Sequence, residues 1–219
     1  MAIIAPSILN SDFLNLGDTI NMINKSEADW IHMDVMDGSF VPNISFGIPI
    51  VEAAKKITKK PLDVHLMIVN PEKYIEGFRK AGADLINIHY EACKHKDLVA
   101  ILKEIRRSGA KPAIAINPDT EVKEIFPLCE FVDMVLIMSV FPGFGGQKFI
   151  ETTYDRVKEL STYLKNNRLN TLIQVDGGVS PDNVSRLKSC GVDALVVGSV
   201  IFRSTNPLQT ISELKSLTE

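Results

Sequence analysis

An alternation of eight short, branched apolar runs with longer amphipathic stretches predicts a single (β/α)8 TIM barrel over residues 1–219. Three observations carry the prediction. Eight units share 219 residues at roughly 27 each, the small end of the range for this fold. No Pro/Gly/Ser-rich linker or low-complexity segment interrupts the series. His, Asp and Gly residues gather at the carboxyl ends of the runs, where parallel α/β folds build their sites. A doubly wound open sheet is the alternative architecture, but no GxGxxG follows the first run.

In chain order the expected strands are 3–9 (IIAPSIL), 29–36 (DWIHMDVM), 62–69 (LDVHLMIV), 84–90 (DLINIHY), 112–117 (PAIAIN), 133–140 (DMVLIMSV), 171–176 (TLIQVD) and 194–199 (ALVVGS). Helix patterns lie between them. Asp12 to Glu27 places Phe13, Leu16, Ile20 and Ile23 on one face, and Pro71 to Ala81 does the same with Tyr74, Ile75 and Phe78. Several units open with one device, Glu27-Ala28-Asp29, Gly82-Ala83-Asp84 and Gly191-Val192-Asp193, in which glycine ends a helix in a left-handed cap just before the strand.

A formal charge of −3 gives no reason to expect nucleic acid or an anionic membrane surface as partner, so a small-molecule substrate is expected. Cys93, Cys129 and Cys190 form no CxxC and cannot all pair, which fits buried packing residues in a reducing compartment. The start, MAIIAPSILNSDF, lacks a signal-peptide pattern, and no run of about 18 apolar residues occurs. A cytoplasmic protein is the expectation.

The chemistry concentrates in His32, Asp34, His65 and Asp176. Strand residues two apart face one side, so His32 and Asp34 point together. Two imidazoles and two carboxylates form a four-ligand set suited to one divalent ion per chain, zinc first, with iron, manganese and cobalt also fitting. Buried unpaired among Ile, Val, Leu and Met, each would cost a few kcal/mol, and a shared metal satisfies them together. Asp37 in Met-Asp-Gly is expected to bond its own turn. His89 and His95 have no partner signature and are expected to be structural or exposed.

Met36 and Met67 lie two residues beyond Asp34 and His65, and Met138 ends the sixth run; they are expected to wall the site or fill the core. The loop Pro142-Gly143-Phe144-Gly145-Gly146-Gln147, with Gly177-Gly178 and Gly198-Ser199, offers backbone amides after strands six, seven and eight, where barrels commonly hold phosphate. No expected strand contains a lysine, which removes Schiff-base aldol chemistry and orotidine-type decarboxylation. Asp34 and Asp176, from the second and seventh strands, can each handle a proton on one face of a carbon whose C–H a metal acidifies through the neighbouring carbonyl and hydroxyl. Removal on one face and return on the other is epimerisation.

The segments SILNSDF, HMDVMDGSFVPNISFG, PLDVHLM, MSVFPGFGGQKFI, VDGGV and GSVIF together resemble the ribulose-phosphate 3-epimerase family over essentially the whole chain. The resemblance implies a barrel of the ribulose-phosphate-binding type that interconverts D-ribulose 5-phosphate and D-xylulose 5-phosphate through an enediolate in the pentose phosphate pathway. It implies His32, Asp34, His65 and Asp176 as metal ligands, Asp34 as proton acceptor and Asp176 as proton donor. It further implies substrate contacts at Ser7, His65, Gly143, Phe144, Gly145, Gly146, Asp176, Gly177, Gly178, Gly198 and Ser199, and a homo-oligomer.

Phe141 departs from the polar residue this family often carries before Pro-Gly-Phe-Gly-Gly, which opens the choice of sugar. D-Allulose-6-phosphate 3-epimerase, with the same metal and acids on a six-carbon ketose, is the rival activity. A non-catalytic phosphate- or metal-binding barrel is the rival from another class, and it gives no reason for two opposed acids.

Overall fold

The computed structural model describes all 219 residues. Strands β1 (Ile3–Pro6), β2 (Ile31–Met36), β3 (Leu62–Met67), β4 (Leu85–His89), β5 (Lys111–Ile116), β6 (Met134–Met138), β7 (Leu172–Asp176) and β8 (Ala194–Val197) form one parallel sheet. Its order is β1-β8-β7-β6-β5-β4-β3-β2. The two ends meet at a β1–β2 seam, where a single parallel bridge pairs Ser7 with His32 and the Asp29 amide donates to the Ile4 carbonyl at 2.9 Å. The result is a nearly closed (β/α)8 barrel containing all eight expected strands. β1 ends early because Ser7 turns into a short 3-10 segment, Ile8–Asn10.

Helices α1 (Leu16–Lys25), α2 (Ile48–Ile57), α3 (Ile75–Ala81), α4 (Tyr90–Cys93), α5 (Leu98–Arg107), α6 (Thr153–Asn166), α7 (Pro181–Cys190), α8 (Ser199–Phe202) and α9 (Pro207–Ser216) surround the strands. Outward residues such as Ile31, Met33, Val64, Leu66, Ile86 and Ile114 pack with helix residues such as Ile20, Val51, Phe78 and Leu102 in one large apolar cluster. Strands covered in this way carry near-continuous apolar runs. No helix is long and apolar enough to cross a membrane.

The helical boundaries differ from expectation in detail. Asp12 accepts from the Leu14 amide at 3.0 Å and caps a 3-10 turn, Phe13–Asn15, so α1 proper starts at Leu16. Pro71–Tyr74 is likewise a 3-10 turn ahead of α3. Between β5 and β6 the alternation expects a helix and the chain forms a 3-10 segment, Val122–Leu128. Pro127 inside it donates no backbone hydrogen bond and disfavours helical geometry at the residue before it. β5 starts one residue earlier than expected, so one lysine does enter a strand; Lys111 lies exposed at the amino end, far from the end that carries the candidate site. All three cysteines are free and buried.

The recurrent Gly-Ala-Asp device does two jobs. Gly82 and Gly191 cap α3 and α7 at φ 113° and 111°, left-handed geometry that favours glycine. The aspartate then reaches across to the neighbouring strand: Asp84 accepts from the Leu62 amide at 2.9 Å, Asp193 from the Ile173 amide at 2.9 Å and Asp29 from the Ile4 amide at 2.7 Å. These acids clamp the lower rim. Asp84→Ala and Asp193→Ala each leave a buried strand's N–H without an acceptor and should lower the unfolding free energy by about 1–3 kcal/mol. Urea denaturation reads the effect, and unchanged midpoints would show that the rim holds without these clamps.

Candidate active site

Period-two geometry stacks the interior in tiers. In register, His32 faces Asp63, Asp34 faces His65 and Met36 faces Met67 across β2 and β3. The floor is apolar, made of Leu85, Ala113 and Met134 with Trp30 and Leu172 against them. Above it lies a polar layer in which Asp63 Oδ2 accepts from Gln174 Nε2 and from His32 Nδ1, both at 2.7 Å.

The next tier gathers the four expected residues. His32 Nε2 lies 3.2 Å from Asp34 Oδ1 and 4.0 Å from Asp176 Oδ2, and His65 Nδ1 lies 3.1 Å from Asp34 Oδ1. One nitrogen or oxygen from each of the four falls within 4.8 Å of all the others. Ligands at about 2.0–2.2 Å from one ion lie within about 4.4 Å of each other, so with slight contraction the set could hold a metal ion. The donor chemistry fits as well: two imidazoles and two carboxylates suit a divalent ion. The Ser7 hydroxyl donates to the other oxygen of Asp34 at 2.5 Å, which aims that carboxylate.

Burial sets these groups against one another. Desolvation alone would push the Asp34 carboxyl up, yet the His32 and His65 imidazoles hold it well below the usual carboxylate range. For Asp176 burial and the nearby Asp34 charge outweigh the more distant His32 and push it up to about 7. His65 is depressed to about 4, first by burial, and is therefore a neutral imidazole at pH 7, as a metal ligand must be. His32 is raised despite its burial because Asp34 and Asp63 flank it. Two acids of one site thus sit on opposite sides of their ordinary value, the arrangement that separates a base from an acid.

A cavity opens above the cluster at the carboxyl end of the barrel. Its lining includes Ser7, Asp34, Met36, Met67, Met138, Asp176 and the glycine loops Gly143, Phe144, Gly145, Gly146, Gly177, Gly178, Gly198 and Ser199. His32 and His65 lie beneath it, fully buried. Gly177 and Gly178 adopt φ 117° and 62°, and a Cβ on Gly178 would stand 2.6 Å from the Phe149 amide nitrogen, so only glycine fits there. Asn10 fills the space beside Gly145 and Gly198 at the rim. Phe141 is 52% exposed and does not line the cavity. Asp37 bonds its own turn, accepting from the Ser39 and Phe40 amides at 2.8 Å.

Sequence reasoning missed two members. Asp63 supports His32 from below; its spacing to His65 repeats that of His32 to Asp34, and this signal was available. His89, expected to lack a partner, is fully buried, with Nε2 2.9 Å from His65 Nε2 and Nδ1 3.0 Å from Glu91 Oε2. That pairing crosses from β3 to β4, and the spacing within either strand does not reveal it. His95 is exposed, as expected.

The model of the ribulose-phosphate 3 epimerase family matches residues 3–202. Ribulose-phosphate 3-epimerase of Synechocystis is 44% identical over 217 residues, covering 98% of this chain and 93% of that protein. Its counterpart in Bacillus subtilis is 44% identical over 213 residues, covering 97% of each. Among solved structures, KGPDC of Streptococcus mutans superposes with a TM-score of 0.74 at 14% identity, covering 100% of this chain and 97% of that one, a likeness of fold. With its eight-stranded barrel, its His/Asp cluster and homologues of this identity over nearly the full length, the chain belongs to the ribulose-phosphate 3-epimerase family.

Proposed function

We propose that the enzyme inverts carbon 3 of D-ribulose 5-phosphate to give D-xylulose 5-phosphate, a step of the pentose phosphate pathway, with one divalent ion, zinc by preference, held by His32, Asp34, His65 and Asp176. The observation that carries this reading is the pair Asp34 and Asp176. They rise from β2 and β7, share one imidazole between them and border the same cavity. A divalent ion in this set would polarise the ketose carbonyl and stabilise the negative charge that develops when the adjacent C–H is deprotonated. Asp34, ionised at neutral pH, accepts the proton from carbon 3 on one face. Asp176, whose carboxyl carries a proton more readily, delivers one to the opposite face. Met36, Met67 and Met138 form an apolar wall that keeps water from the charged intermediate. The amides of the glycine loops receive the phosphate, with no Cβ in the way.

The exposed position of Phe141 favours the five-carbon substrate over the six-carbon one, because this departure from the family pattern lies outside the cavity. Phe141→Asn should therefore leave kcat and KM for ribulose 5-phosphate within about twofold of the parent, as surface changes usually do. A marked shift in preference toward allulose 6-phosphate would place Phe141 in the pocket.

Stripping the protein with a strong chelator should abolish turnover, and zinc or manganese should restore it. Full activity in demonstrably metal-free protein would sink the metal reading. In heavy water the product should carry a solvent deuteron at carbon 3. Asp34→Asn and Asp176→Asn should each reduce epimerisation by at least about 10²-fold. Because both acids are also proposed ligands, metal content is measured on each variant; near-normal epimerisation by metal-loaded Asp176→Asn would mean the second proton comes from elsewhere.

A further inference from the structure

We propose that Glu91 and His89 are positioning residues that fix, through a chain of hydrogen bonds, which nitrogen of His65 is presented to the metal. The inference rests on reading His32, Asp34, His65 and Asp176 as one metal site. His65 turns Nδ1 toward the cluster, 3.1 Å from Asp34 Oδ1, and Nε2 away from it, 2.9 Å from His89 Nε2. Two imidazole nitrogens at that separation need one N–H and one lone pair between them. His89 resolves the choice from its other side. Its Nδ1 lies 3.0 Å from Glu91 Oε2, and an ionised carboxylate only accepts, so His89 Nδ1 carries a proton. With an ion taking the lone pair of His65 Nδ1, His65 Nε2 carries the N–H and donates it to the lone pair of His89 Nε2, so Glu91 and His89 together supply the acceptor that this orientation of His65 needs.

The anchor of this chain is well held. Glu91 Oε1 accepts from the Asn117 amide at 2.8 Å and from the Thr120 hydroxyl. Arg156 fixes that loop by donating to the carbonyls of Asn117 at 2.6 Å and Thr120 at 3.1 Å, and to Met138 at 2.9 Å. Burial would raise the Glu91 carboxyl, but the hydrogen bonds from His89, Thr120 and Asn117 hold it below its usual range, so it stays an acceptor. The His65 and His89 rings stack at 4.9 Å and 25°, and Phe40 covers His89 at 4.8 Å. Both rings are fully buried, so water does not compete for either nitrogen. His32 reaches the same end by a shorter route, with Nδ1 directly on Asp63.

Glu91→Gln keeps the size but turns an amide donor toward His89, because Oε1 must still accept from Asn117 and Thr120. The proton of His89 then shifts to Nε2, and His65 is driven to the tautomer with its N–H facing the metal. His89→Phe removes the acceptor altogether, whereas His89→Gln can place an amide oxygen close to where Nε2 was. The test is zinc affinity of the full-length protein by competition with a chromophoric chelator, together with imidazole nitrogen NMR shifts of His65 in the zinc-loaded parent. Glu91→Gln and His89→Phe should weaken zinc binding by about 10–100-fold while His89→Gln recovers most of it, the size of effect seen when partners of metal-binding imidazoles are removed. The parent should show the His65 proton on Nε2. A proton on Nδ1 in the parent, or unchanged zinc affinity in folded Glu91→Gln and His89→Phe, would overturn the inference while leaving the metal site intact. A parent that binds no zinc, or a His65→Ala variant that binds it as tightly, would overturn the metal reading and this inference with it. The NMR arm uses only the parent, so it decides the matter even where a variant does not fold.

Discussion

The hydrogen bond from His32 Nδ1 to Asp63 Oδ2 at 2.7 Å decides what the upper half of the barrel can be. Interiors of this fold are ordinarily packed with branched apolar side chains. Here the layer above the floor holds Asp63, Asn87 and Gln174, all fully buried. Asp63 can lie there because two donors from opposite sides of the barrel, on β2 and β7, meet on one of its oxygens. Once His32 is held from below, its Nε2 is aimed upward, and Asp34, His65 and Asp176 arrange around it.

This arrangement is expensive. Asp63 Oδ1, both polar atoms of the Asn87 amide and Gln174 Oε1 find no hydrogen-bond partner among the protein's own groups, whereas buried polar groups are almost always satisfied. Each such atom costs about 1–3 kcal/mol. The outer shell of apolar packing between strands and helices, and the rim clamps of Asp29, Asp84 and Asp193, carry the stability that the interior gives up for chemistry. Stability lies outside and at the bottom of the barrel; reactivity lies inside and at the top.

Much of this was legible in the sequence because two periodicities do the writing. The step of two along a strand put His32 beside Asp34 and Met36 beside Asp34's face, and the helical period marked the outer layer. Glycine clusters after β6, β7 and β8 revealed the loops over the cavity because glycine at such points has few other reasons to recur. What the sequence concealed depends on register and tautomer. His89 looked partnerless because its partner is on the adjacent strand, and whether Phe141 entered the pocket or faced outward stayed open because a loop has no period from which to read its direction. Pro127 did mark the missing helix between β5 and β6, but a repeat counted eight times hides one irregular member.

The seam between β1 and β2 couples architecture to occupancy. Every other neighbouring pair is laced by a ladder of at least three residue pairs, whereas this one has a single bridge, and both residues of that bridge belong to the site's immediate surroundings. Sheets breathe where the lacing is thinnest. Parting the seam would draw Ser7 away from Asp34, so a motion that loosened the barrel there would also release the carboxylate that Ser7 aims. A molecule gripping that end acts as a clasp, and by mass action the folded barrel tightens in proportion to how much of it is bound. Amide exchange along β1 and β2 is thus a gauge of ligand occupancy.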